Sequence, residues 1–138
     1  MKRSWNIRPL AGVTAVAALA LLPVAAHAQG AGVTMSEGYR FSETSVEALF
    51  ANVCRGCHMT DGKGAAGAGT YPSLARNSNL ETRDYPVNVV LNGQRDMPPF
   101  GAMMNDDQVA AVVNYLRTHF GNHYSDVVTP EDVKIIRR

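Results

Sequence analysis

Beyond residue 40, apolar positions recur at helical spacing in four stretches, separated by segments rich in Gly, Pro and polar residues. In the first, Val46, Leu49, Phe50 and Val53 fall at i, i+3, i+4 and i+7. Thr44 followed by Glu47 has the form of a capping box, so the pattern predicts a helix over about 45–54. The second runs from Arg83 to Gly93: Pro86 fits the first turn, Val87, Val90 and Leu91 share a face, and Gly93 stands where a helix ends. The third is the strongest. Asn105 and Gln108 open it, Val109, Val112, Val113 and Leu116 form its stripe, and Gly121 closes it. Thr129 as cap with Pro130 at the first position predicts a short terminal helix.

Between these stretches the periodicity fails. Residues 59–83 read as a flexible Gly/Ala loop containing Gly62, Gly64, Gly67 and Gly69, then a fixed turn at Tyr71-Pro72-Ser73-Leu74. So long an irregular segment is unusual in a small domain unless it wraps a bound group. Arg95 to Gly101 reads as rigid and extended, because Pro98 and Pro99 fix their own φ and bias Met97 away from helix. The pattern gives an all-α fold of about four helices, with no repeats.

The N-terminus follows another pattern. Lys2, Arg3 and Arg8 precede an apolar run from Ala11 to Ala26, and Ala26-His27-Ala28 has the small residues of a cleavage site. Residues 1–28 therefore read as a cleaved secretory signal peptide. The 16-residue run, with Pro23 inside it, is short of the ~20 apolar residues a membrane span needs. Residues 29–41 read as a flexible lead-in, and 42–138 as one domain with a C-terminal extension from about 122. Cleavage leaves ten basic and twelve acidic residues, a formal charge of −2 in place of +1. That balance argues against a nucleic-acid partner or stable association with an anionic membrane.

Chemistry concentrates in Cys54-Arg55-Gly56-Cys57-His58, which contains both cysteines of the chain. Two thiols one helical turn apart, each able to add to a vinyl group of one porphyrin, with an imidazole next in sequence, form the attachment motif of a c-type haem. Cys54 and Cys57 are the covalent anchors and His58 the proximal iron ligand. Three alternatives use less of the motif. A thioredoxin-like couple wants a βαβ pattern and no His. Zinc wants a fourth ligand. A disulfide would close a trivial loop.

With both thiols committed, the haem becomes the staple that so small an exported domain needs, and the apoprotein is expected to be poorly folded. For the sixth iron position, the methionines are Met35, Met59, Met97, Met103 and Met104. Met59 adjoins His58, Met35 lies in the lead-in, and Met103 and Met104 read as gap-fillers. Met97, in the rigid segment, is the leading candidate. His119 and His123 read as solvated. Tyr71, Arg76, Gln94 and Arg95 are candidates for the haem propionates. Gly64 to Gly69 with Phe100, Met103 and Met104 are candidates for the exposed edge.

Cys54-x-x-Cys57-His58, Tyr71-Pro72-Ser73-Leu74, Leu91-Asn92-Gly93, Met97-Pro98-Pro99-Phe100-Gly101 and Val112 to Arg117 resemble the class I c-type cytochromes over about residues 40–121. The resemblance implies a small helical fold around one haem with an exposed edge. It also implies iron ligation by His58 and Met97, and electron transport in the periplasm. The tail from Phe120 to Val133 resembles cytochromes that serve periplasmic flavin or molybdenum dehydrogenases. It implies such a dehydrogenase as donor and a terminal oxidase or another cytochrome as acceptor. Three haem motifs are common in membrane-bound dehydrogenase subunits, so one motif favours a freestanding carrier over a subunit of a complex. A gas-binding or sensory haem protein would lack the Met97 bond, and a haem peroxidase would want an acid–base residue on an open iron face.

Overall fold

The computed structural model describes residues 35–36, 39–67 and 69–137. The signal peptide expected over 1–28, and most of the lead-in, lie outside the described residues.

The first helical stretch is one run with a defect in it. Ser45, extended at φ −112° and ψ 147°, caps it by accepting from Ala48 N at 3.2 Å. The cap is therefore Ser45 and not Thr44, because the backbone turns helical one residue later than the sequence box implies. Helix α1 (Val46–Leu49) passes into a π-helical turn (Phe50–Cys54) and then into α2 (Arg55–His58). Arg55 N donates to Phe50 O, five residues back, so the turn before the motif is widened by one residue. Met59, at φ 63°, stops the run directly after His58.

Helix α3 (Asp84–Asn92) ends at Gly93, whose φ is 73°. Helix α4 (Asp106–Thr118) opens with the expected box: Asn105 Oδ1 accepts from Gln108 N, and Gln108 Oε1 accepts from Asn105 N. It stops at Thr118, before the expected Gly121, with Phe120 and Gly121 both at positive φ. Helix α5 (Pro130–Ile136) starts on the Thr129 cap with Pro130 inside its first turn, as the sequence predicts.

Two small antiparallel ribbons are added to the helices, where the sequence showed no alternation. Strands β1 (Met35–Ser36) and β2 (Arg40–Phe41) form one, and β3 (Ala65–Ala66) and β4 (Thr70–Tyr71) the other. The second lies in the stretch expected to be a loose loop. That stretch is tied down by bonding across its own length: Gly62 O accepts from both Leu74 N and Ala75 N, and a 3-10 turn follows at Ser78–Leu80. The 95–101 segment also differs from its expectation. Gln94 and Met97 exchange both backbone hydrogen bonds around Arg95 at φ 54°, so it begins as a tight turn and extends only from Pro98.

Helix α4 is the hub, packing against α1, α3 and α5. Its buried Val109, Val112 and Val113 meet Leu49, Val87, Leu91, Val128 and Val133 in one cluster. Each such side chain stabilises by about 1.5–3 kcal/mol on burial. Val128 and Val133 belong to the C-terminal extension, which is thus part of the core. A second cluster joins Phe50, Leu80 and Leu116, with the Phe50 ring 5.5 Å from Tyr115 and 5.0 Å from Phe120. Arg117 is fully buried at the end of α4. Its guanidinium donates to the carbonyls of Leu80, Glu81 and Asp126 and to the Asp126 carboxylate, tying the 3-10 turn to the C-terminal extension, an arm that runs from about residue 122.

Candidate functional site

Between these elements lies a cavity of about 640 Å³, a size in the ~300–1,000 Å³ range of cofactor sites. The α1–α2 run contributes Val53, Cys54, Cys57 and His58 to its wall; α3 and α4 contribute Val90, Val112 and Leu116. Tyr71, Pro72 and Leu74 come from the irregular stretch, and Met97, Pro98, Phe100 and Met104 from the segment before α4. Residues from five separate places in the sequence thus meet around one space.

His58 is 8 % exposed and its Nδ1 lies 3.0 Å from Pro72 O. A carbonyl only accepts, so Nδ1 carries the proton and Nε2 keeps its lone pair for a metal. Gly64 makes this contact possible. A Cβ there would lie 2.1 Å from Tyr71 O and 2.8 Å from Pro72 O, so any side chain would displace the carbonyl that orients the imidazole. Gly64 N also donates to His58 O at 3.0 Å, and its φ of +69° suits glycine.

Cys54 is half-buried and Cys57 exposed, both unpaired. Burial, with a smaller contribution from Cys57, pushes the Cys54 thiol up to about 12. With no group bound, this thiol stays protonated at neutral pH. Among the described residues no three His, Cys, Asp or Glu side chains gather as a metal cluster. The donor set suits a porphyrin: two thiols one turn apart, a tautomer-fixed imidazole beside them, and a largely apolar cavity with a methionine in its wall.

Of the five methionines weighed as ligands, Met97 and Met104 line the cavity. Met104 is 1 % exposed and packs in the main core cluster, so it cannot form part of an exposed edge. Met103 and Met59 do not line the cavity, and Met35's side chain lies outside the described residues. Tyr71, Gln94 and Arg95 stand in the wall, whereas Arg76 lies against Gly121. His119 is exposed and stacks on Tyr115 at 3.9 Å; His123 is exposed.

The sequence reading passed over Tyr85, Asn77 and Asn79, which also line the cavity. Tyr85 OH donates to Gln94 Oε1 at 2.9 Å, which leaves the Gln94 amide N–H groups free to donate. It also passed over Asn122, buried at 3 %, which bonds Leu74 O, Leu116 O and Asn77 N. The position of Asn122 just after the Gly121 chain reversal was the available signal.

A helical domain whose Cys-x-x-Cys-His run opens onto a largely apolar, methionine-bearing cavity is a c-type cytochrome domain. The family described as "Cytochrome C oxidase, cbb3-type, subunit III" matches residues 42–116, and the chain belongs to it. Among curated proteins, the chain is 33% identical over 109 residues to the fructose dehydrogenase cytochrome subunit of Gluconobacter japonicus, covering 68% of this chain and 22% of that protein. It is 31% identical over 105 residues to the gluconate 2-dehydrogenase cytochrome c subunit of Pantoea cypripedii, covering 65% and 23%. It is 33% identical over 97 residues to the cytochrome c subunit of the quinone-dependent alcohol dehydrogenase of Gluconacetobacter polyoxogenes, covering 61% and 20%. The chain thus spans less than a quarter of the length of these relatives.

Proposed function

We propose that this chain is a periplasmic electron carrier with one haem c, attached through Cys54 and Cys57 and ligated by His58 and Met97. The observation that carries the reading is the meeting of these four side chains in the wall of one cavity. When bound, the haem supplies a one-electron couple. The protein's own residues set its terms. Cys54 and Cys57 hold the ring by thioether bonds. The Pro72 carbonyl fixes the imidazole proton on Nδ1, so His58 keeps one orientation and presents Nε2 to the iron. Val90, Val112 and Leu116 exclude water, and with a thioether ligand this favours the less charged ferrous state and a higher potential. Retaining both ligands in both oxidation states keeps reorganisation small.

The three relatives above are cytochrome subunits of dehydrogenases by name. That supports a periplasmic dehydrogenase as donor, which the resemblance of the 120–133 tail makes one of flavin or molybdenum type. A terminal oxidase or another cytochrome would be the acceptor. In the test, mature ferric protein is mixed with substrate-reduced flavin and molybdenum dehydrogenases and followed in the visible spectrum. Rapid reduction to a ferrous form that excludes carbon monoxide is expected. Failure of every donor, with ready carbon monoxide binding, contradicts the reading in favour of a gas-binding protein. A second reading, a fixed subunit of a dehydrogenase complex, is favoured by the same names. Gel filtration of native extract separates the two, since a free carrier elutes as a small protein.

A further inference from the structure

The segment that bears Met97 is held from two sides by different parts of the chain. Its amides are anchored on the end of α3, where Phe100 N donates to Val90 O at 2.9 Å and Gly101 N to Leu91 O at 3.1 Å. Two of its carbonyls are taken by a residue far along the chain. Arg137, at the end of α5, donates to the carbonyls of Gly101 and Met104 and, through Nε, to Asp106 Oδ1 at 2.7 Å. A single planar guanidinium thus spans the chain from Gly101, four residues after Met97, to the first turn of α4. The helix carrying Arg137 is itself seated by Val133, fully buried in the core cluster, and by the Thr129 cap.

We infer that Arg137 is a positioning residue for the sixth iron ligand: through the C-terminal arm it clamps the 97–104 segment and keeps the Met97 sulfur in place. This rests on the reading of Met97 as axial ligand. Phe100, next to the clamped Gly101, and Met104, whose own carbonyl is clamped, both line the cavity, so a shift of this backbone is felt at the cavity wall. Loss of three donor contacts at a partly exposed site does not unfold the segment. It raises the fraction of molecules in which Met97 has left the iron.

The test is titration of the ferric holoprotein with imidazole, alongside the long-wavelength sulfur-to-iron charge-transfer band. Arg137→Ala is expected to raise the apparent imidazole affinity about tenfold, as a tenfold larger open fraction would, and to weaken the band. Arg137→Lys should recover part of the loss. The control is Arg83→Ala. It cuts the arm elsewhere, at Asp132 (3.3 Å), Asp126 (3.5 Å) and Val127 O (3.0 Å), and makes no contact with 97–104. If Arg83→Ala raises imidazole affinity as much as Arg137→Ala, or if neither changes it, the clamp is overturned. Met97→Ala separates the two layers: a charge-transfer band surviving in that variant overturns the ligand assignment and the clamp together. A band lost in Met97→Ala but unmoved in Arg137→Ala overturns the clamp alone.

Discussion

The histidine-bearing and methionine-bearing regions of the cavity wall are built in opposite ways. His58 closes a continuous helical run, and its orientation comes from nearby chain: the π-helical turn before it, the Met59 stop after it and the Pro72 carbonyl fourteen residues on. Met97 sits in a non-helical segment that begins with its own bond pair to Gln94 and is held beyond that by Val90 and Leu91 at the end of α3 and, from the far end of the domain, by Arg137. The first region is fixed by its own motif; the second is only as firm as the packing of the whole domain. Segments held by few, partly exposed bonds open at lower free energy than helices in a core. On the proposed His58/Met97 ligation, the methionine side is therefore where potential and ligand access would be tuned.

Met97→Ala is the most severe way to break this contrast. It should lower the reduction potential by a substantial fraction of the ~0.8 V that axial ligation spans and let carbon monoxide bind the ferrous protein, both readable by spectroelectrochemistry. Leu49→Ala attacks packing beneath the helical side. Leu49 is 1 % exposed in the core cluster and does not line the cavity, so truncation should cost about 2–5 kcal/mol in denaturant melts while leaving the ferric spectrum unchanged. Gly64→Ala probes the imidazole's support. The strain should cost about 1–3 kcal/mol, and displacement of Pro72 O should move the His58 ring resonances in the ferric NMR spectrum.

The smallest effect is expected from acid. Asp126 is held below the usual carboxylate range by the hydrogen bond from Arg117, and Asp132 by those from the Thr129 backbone and hydroxyl. Carboxyls depressed in the folded state stabilise it above their ordinary value, and the contribution is lost as pH falls through the lowered one. Protection of the α5 amides, taken relative to intrinsic exchange at each pH, should therefore fall below about pH 4, while that of α1 and α2 is retained.

The same contrast explains what could be read from the sequence. The family signature at Cys54-x-x-Cys57-His58 was legible because its residues are adjacent in the chain, and the caps of α4 and α5 because Asn105, Gln108, Thr129 and Pro130 act within one turn. The π-helical turn left no mark, since no residue type in Phe50–Cys54 demands it. Residues 59–83 looked loose because their partners are non-periodic backbone groups and Asn122, 45 and 48 residues from the atoms it bonds there. Arg117 entered the sequence reading only as the last residue of the Val112 to Arg117 stretch. Its burial is decided by acceptors on Leu80, Glu81 and Asp126 that no local pattern announces.

All of these readings require a porphyrin joined to the chain through sulfur. The mass of the mature protein, taken under denaturing conditions after export in a cell that matures c-type haem, tests this directly. The account predicts the polypeptide plus a single haem, with the colour retained through acidified acetone. A bare polypeptide mass, with the pigment passing into the solvent, would contradict it.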